Sequence, residues 1–205
     1  MSQIGTVTAS GPRWATVTRS TKETQITVTL KLDGTGETKI ETGVGFYDHL
    51  LNSLAHHALF DLEIDASGDL VIDEHHTVED VALVFGAALA QALGDRAGIA
   101  RFGDSSVPMD ESVATAVVDV GGRPYAVIDL PFKGKRAGKM PLELIEHALE
   151  SLARAGGVTL NLKGRGRNDH HLAEAACKAV GRALSAAVAV DPRRQGPAST
   201  KGALG

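Results

Sequence analysis

The chain is written twice over, and that duplication constrains its fold more than any other feature. The segment HHTVEDVALVFGAALAQAL, beginning at His75, lies over HHLAEAACKAVGRALSAAV, beginning at His170, without a gap. In both copies a glutamate follows the first histidine by four residues, Glu79 and Glu174. Glycine and leucine recur in phase at Gly86/Gly181 and Leu89/Leu184. Upstream, DHLLNSLAHHALFDLEI sets His49 over His147 of EHALESLARAGGVTLNL, with SLA repeated four residues on in each. KETQITVTLKLDG and DESVATAVVDVGG extend the match more weakly. A register this long implies two homologous halves folded alike.

Each half reads as strands, a helix, a strand and a second helix. QITVTLKLD alternates with β-branched residues, and GTGETKIET continues after a glycine turn. Phe46, Leu50, Leu51, Leu54 and Ala58 recur at helical spacing, LFDLEIDAS is the next strand, and Val81, Phe85, Ala88, Leu89 and Ala92 mark a second helix stopped at Gly94. The other half gives strands SVATAVVDV and RPYAVIDLP, a helix on Leu142, Ile145, Leu149 and Leu152, the strand VTLNLKG, and a last helix over 172–188. The expected fold is α+β: four helices packed against two mostly antiparallel sheets, related by an internal twofold. Residues 1–95 and 96–190 are the two halves of one compact domain, and 191–205 are a basic, Gly/Pro-rich tail.

Composition narrows the function. A net charge of −4 and eight aromatics in 205 residues offer neither phosphate neutralisation nor a stacking platform, which argues against a nucleic-acid partner. The single cysteine, Cys177, makes no internal disulfide, so a reducing compartment is expected. No window is apolar enough to span a bilayer, and MSQIGTVTAS lacks the form of a secretory signal. The expectation is a cytoplasmic protein.

The duplicated histidines do not belong to the helices' apolar stripes. At about 100° per residue, His49 falls about 150° from the Leu50/Leu54 stripe, and His147 lies roughly opposite its own. His75, His76 and Glu79 sit about 110–150° from the Val81/Phe85/Ala88 stripe, and His170, His171 and Glu174 repeat that phase. A histidine and a glutamate four apart share one helix face, where nitrogen and oxygen can hold one cation. Neighbouring histidines diverge by about 100°, so each doublet serves two ions rather than chelating one. Six histidines and two glutamates make two sites of roughly three nitrogens and one oxygen each, a donor set suited to manganese, iron or zinc. Without cysteine ligands, a closed structural zinc site is disfavoured. DEHHTVED can also be read as a plain helix start capped by Asp73, but that reading leaves the second copy unexplained. His56 and His57 have no counterparts and read as structural.

Together, TKET, GVGFYDHLL, HHTVEDVA, GIARFGD, GRPY, the EH of LIEHALESL, NDHHLAEA and STKG make nearly the whole chain resemble imidazoleglycerol-phosphate dehydratase. The chain departs from that pattern mildly at Thr115, where relatives often carry histidine. The resemblance implies a dehydration step of histidine biosynthesis and two Mn2+ per active site, with Fe2+ or Zn2+ as alternatives. The implied ligands are His49, His75, His76, Glu79, His147, His170, His171 and Glu174. It further implies active sites formed between subunits of a 24-chain homo-oligomer. Glu23 of TKET matches the acid/base, with His49, His76, Glu79, His171 and Glu174 in the catalytic centre. Arg101, Arg123, Ser199 and Lys201 match phosphate-clamping positions, with Lys178 as a helper, so the tail is expected to order over substrate. The substrate's imidazole is the only electron sink available, and cations on its nitrogens would let it ionise and expel the neighbouring hydroxyl.

Two other readings fit parts of the pattern. A dinuclear metallohydrolase usually adds aspartates that bridge its metals, and the duplicated set contains none. A metal-storing shell protein accounts for helices and ligands but leaves Glu23 and the phosphate-site cations without a task.

Overall fold

The computed structural model describes residues 13–204; residues 1–12, MSQIGTVTAS among them, and Gly205 lie outside them. The first half runs β1 (Trp14–Ser20), β2 (Thr24–Lys31), β3 (Thr38–Glu41), α1 (Gly45–Ala58), β4 (Asp61–Gly68) and α2 (His75–Leu93). The second runs β5 (Phe102–Met109), β6 (Ser112–Asp119), β7 (Tyr125–Asp129), a two-residue hairpin β8 (Arg136–Ala137) and β9 (Met140–Pro141), α3 (Glu143–Gly156), β10 (Thr159–Arg165) and α4 (Asp169–Val188). The sheets are ordered β1-β2-β4-β3 and β5-β6-β10-β7, the same topology twice.

In each sheet a hairpin supplies two antiparallel strands, and a strand–helix–strand crossover supplies the rest. The crossovers β3–α1–β4 and β7–α3–β10 join parallel strands, because a helix between two strands of one sheet returns the chain in its original direction. Inward side chains alternate as the sequence pattern requires: Ile26, Val28 and Leu30 on β2, Ala114, Ala116 and Val118 on β6, all within 1 % of full burial. They belong to one core cluster that continues through all four helices.

Besides the short β8–β9 hairpin, two strands escape the sequence reading. β1 and β5 are edge strands whose alternation is weak. β1 buries only Ala15 fully, and β5 carries Gly103, Asp104 and Pro108, residues poor in strand propensity but tolerated at an edge. The tail past α4 folds back on residues 97–101: Ala97 bridges Pro197, Ile99 bridges Val190, and the Gly98 amide donates to the Gly196 carbonyl at 3.0 Å. No helix of the described residues is long and apolar enough to cross a membrane.

Candidate metal centre and active site

The helices pair across the halves, α1 with α4 and α2 with α3. Each pairing brings one duplicated histidine against the other half's histidine and glutamate. His49 on α1 meets His170 and Glu174 on α4: His49 Nε2 lies 3.2 Å from Glu174 Oε2, and His170 Nε2 lies 3.3 Å from the same oxygen. His147 on α3 meets His75 and Glu79 on α2, with Nε2 atoms 3.3 Å and 3.7 Å from Glu79 Oε2. In each trio, one nitrogen or oxygen from every residue lies within 4.8 Å of the others. Both trios sit in the first turns of their helices, and each draws on both halves of the chain.

The remaining two duplicated histidines stand apart. The rings of His75 and His76 are nearly perpendicular, at 83°, as are those of His170 and His171, at 86°. His76 Nδ1 donates to Asp69 Oδ2 at 3.0 Å, with Glu23 Oε2 4.0 Å away. His171 Nδ1 donates to Glu111 Oε2 at 3.0 Å. Those hydrogen bonds raise both imidazole pKa values above the ordinary histidine value, Asp69 acting on one ring and Glu111 on the other. Glu111 in turn is held far below the usual carboxylate range by His171 and the Asn168 amide.

Glu174 differs from its sequence reading. The helical wheel put it off the core face, yet it is 8 % exposed, because α1 covers it. Burial raises its pKa, but Lys178 Nζ at 2.7 Å and His49 outweigh that and keep it below its ordinary value. In Glu79, burial is likewise outweighed, by His147 and His75. Asp73, one residue before the N-cap position that Glu74 holds, accepts from the His75 amide at 2.8 Å; Asn168 is the N-cap of α4 and accepts from the amides of His170 and His171. The capping and ligand readings therefore coexist.

The residues fit a divalent ion. His147 Nε2 is shielded from solvent and has no hydrogen-bond partner among the described residues, although Glu79 Oε2 is 3.3 Å away. A buried nitrogen facing a carboxylate oxygen without hydrogen-bond geometry is arranged as two ligands sharing a cation are. Cys177 takes no part: burial pushes its thiol up to about 12, leaving it protonated.

The cationic residues gather elsewhere. Arg101 grips Asp119 with both arms of its fork, at 2.7 and 2.8 Å, and its third nitrogen donates to the Ala198 carbonyl at 2.7 Å. Its backbone sits in the left-handed region (φ 74°), an uncommon conformation for a non-glycine residue. Its amide donates to the Ala187 carbonyl, near the end of α4. Thirteen residues of helix, about 20 Å, separate that point from Glu174. Arg123, exposed before β7, Ser199 and Lys201 belong to the same end of the molecule, whereas Lys178 is beside Glu174. Asp69, Glu111 and Asp119 went unnoticed in the sequence. Glu111 had a visible signal, since the duplication sets it over Glu23; Asp69 and Asp119 had none.

A family model described as imidazoleglycerol-phosphate dehydratase matches residues 42–184, the stretch that contains both trios and both doublets. The chain belongs to that family. It is 51% identical to the imidazoleglycerol-phosphate dehydratase of Methanoculleus marisnigri, over 94% of this chain and all of that one. It is 52% identical to a histidine biosynthesis bifunctional protein of Stenotrophomonas maltophilia, over 96% of this chain and 54% of that protein. Among solved structures, it is similar to the Staphylococcus aureus enzyme, with a TM-score of 0.79 at 32% identity over 87% of this chain and 99% of that one. The Pyrococcus furiosus enzyme, solved in complex with (S)-C348, also gives a TM-score of 0.79, at 33% identity over 92% and 100% of the two chains. Family membership makes the chain a hydro-lyase of histidine biosynthesis.

Proposed function

We propose that the chain dehydrates imidazoleglycerol phosphate to imidazoleacetol phosphate in a reaction that requires two divalent ions, manganese by family resemblance. The observation that carries this is the pair of three-donor trios, each drawing on both halves of the duplication. His49, His170 and Glu174 would hold one ion and His75, His147 and Glu79 the other, with His76 and His171 as fourth ligands. Bound there, the ions would supply positive charge to the substrate's imidazole as it becomes an electron sink.

The chain's own groups do the rest. Glu23, at the tip of the β1–β2 hairpin, is 56 % exposed on its side chain and accepts no hydrogen bond among the described residues, so its carboxylate is available to take the carbon-bound proton. Arg101, Arg123, Ser199 and Lys201 would clamp the phosphate, with Ala198 tied to Arg101 so that the STKG turn follows the arginine. Lys178 serves Glu174 rather than the phosphate in this arrangement.

The His49–His170–Glu174 trio lies at the start of α4 and the clamp at that helix's end, too far apart for one small phosphate ester, which supports active sites shared between subunits of a large homo-oligomer, 24 chains by resemblance. Exposed apolar groups accord with such covering: Val71 and Ile72 beside the first doublet, and Phe102, Val117, Tyr125 and Val127 on the outer face of the second sheet. A cytoplasmic setting accords with the lone buried thiol.

The test is turnover of imidazoleglycerol phosphate by chelator-stripped protein with and without added Mn2+. Turnover that returns only with metal is the expected result. Equal turnover without metal would remove the ions from the mechanism, and none under either condition would leave a metal-binding shell.

A further inference from the structure

The duplicated halves use different carboxylates to hold their outlying histidines. Glu23 and Glu111 are equivalent by fold: each is the second residue of a two-residue hairpin tip, between Thr21 and Thr24 in one half and between Met109 and Ser112 in the other. Only Glu111 bonds its histidine. His171 Nδ1 lies 3.0 Å from Glu111, whereas His76 Nδ1 lies 4.0 Å from Glu23 and 3.0 Å from Asp69.

The cause is a difference in loop length. Strand register sets Thr24 against Gly68, and Val113 against Arg165, which leaves Gly166 against Ser112. Six residues lie between Gly68 and His75, but only three between Gly166 and His170. The short loop brings the entry to α4 onto Glu111, whose Oε1 accepts from Ser112 Oγ at 2.9 Å, Arg167 N at 3.0 Å and Asn168 N at 2.8 Å. The longer loop carries the chain past Glu23 and puts Asp69 where a carboxylate is needed. Asp69 Oδ1 is buried with no hydrogen-bond partner among the described residues, an arrangement that costs stability, while Oδ2 faces His76.

We propose that Asp69 and Glu111 are positioning residues that fix His76 and His171 as their Nδ1–H tautomers, and that the longer β4–α2 loop moves this duty from Glu23 to Asp69. A carboxylate can only accept, so the facing Nδ1 must carry the proton and Nε2 must be the bare nitrogen, the form able to ligate a metal. With the task taken over by Asp69, Glu23 keeps an unencumbered carboxylate. This rests on the reading of His76 and His171 as ligands.

Glu111→Gln separates orientation from architecture. Its carbonyl oxygen is pinned by the three donors that now bond Oε1, so its amide N–H2 must face His171. It would then donate to Nδ1, put the proton on Nε2 and block ligation, while keeping the loop's hydrogen bonds. The readout is Mn2+ affinity of the full assembled protein, by chelator competition, with the metal-free melting temperature measured alongside. Glu111→Gln should bind roughly 10–100-fold more weakly at unchanged melting temperature. Asp69→Ala should weaken binding similarly, giving a second reading from the other half. Glu23→Gln should bind as the parent does. Parent-like affinity in Glu111→Gln and Asp69→Ala, or an equal loss in Glu23→Gln, overturns the proposal. His171→Ala distinguishes the premise: if it too binds like the parent, the ligand reading itself has failed.

Discussion

Asp61, at the foot of β4, closes the turn between β2 and β3 with a single carboxylate. Its Oδ1 accepts from the Thr35 amide at 2.7 Å and the Glu37 amide at 3.2 Å, and Lys31 Nζ lies 3.1 Å from Oδ2. The Thr35 amide first, then Lys31 and the Glu37 amide, bring its pKa down to about 2, against a smaller opposing effect of burial. Because the folded value is depressed, the stabilisation is complete above the ordinary carboxylate range and disappears as the pH falls through about 2. Asp61→Asn should cost on the order of 1–2 kcal/mol at neutral pH by denaturant unfolding. The gap from the parent should close near pH 2; a gap that stays constant would mean that charge plays no part. At this scale, the sequence makes His49, His75, His147 and His170 legible through their phase and their copies. Asp69 is hidden, because a residue in a loop insertion has no copy to mark it and its role depends on where three extra residues carry the chain.

Helix pairing rests on two glycines that the repeat already sets in register. A Cβ on Gly181 of α4 would collide with the Leu54 carbonyl oxygen of α1, and one on Gly86 of α2 would strike Leu152 O of α3 at 2.5 Å. Both glycines lie in helix interiors, where the residue costs about 1 kcal/mol relative to alanine, so the close approach must return more than that. Gly181→Ala should destabilise the fold by roughly 1–3 kcal/mol through overpacking. It should also weaken Mn2+ binding, because His49 reaches Glu174 only across this contact. Mutant protein with parental metal affinity would show that the trio does not depend on helix approach. The periodicity exposed all four helices and the inner strands, since each presents a regular apolar face to the core, and β3 and β7 were legible at the other edges. β1 and β5 stayed invisible because edge strands bury little, and their Thr, Ser, Asp and Pro residues are chosen for solvent and for limiting unwanted pairing.

The whole molecule is a twofold repeat that places three-donor trios at one end of its helices and, at the other, the cationic residues proposed to clamp phosphate. Duplication was legible because each copy preserves helix phase; the separation of trio from clamp was not, because it depends on helix length and on the tail's return along residues 97–101. We propose that each trio is completed by a His76 or a His171 of another chain, because within one chain both rings stand apart from the trios. Two inactive parents test it: His76→Ala/His171→Ala, which keeps the trios, and His49→Ala/His147→Ala, which keeps the outlying histidines. Unfolded together and reassembled with Mn2+, they should regain imidazoleglycerol-phosphate turnover far above the sum of the two parents, since trios of one can take histidines of the other. Mixed assemblies as inactive as either parent alone would mean that each chain completes its own site, contradicting the account.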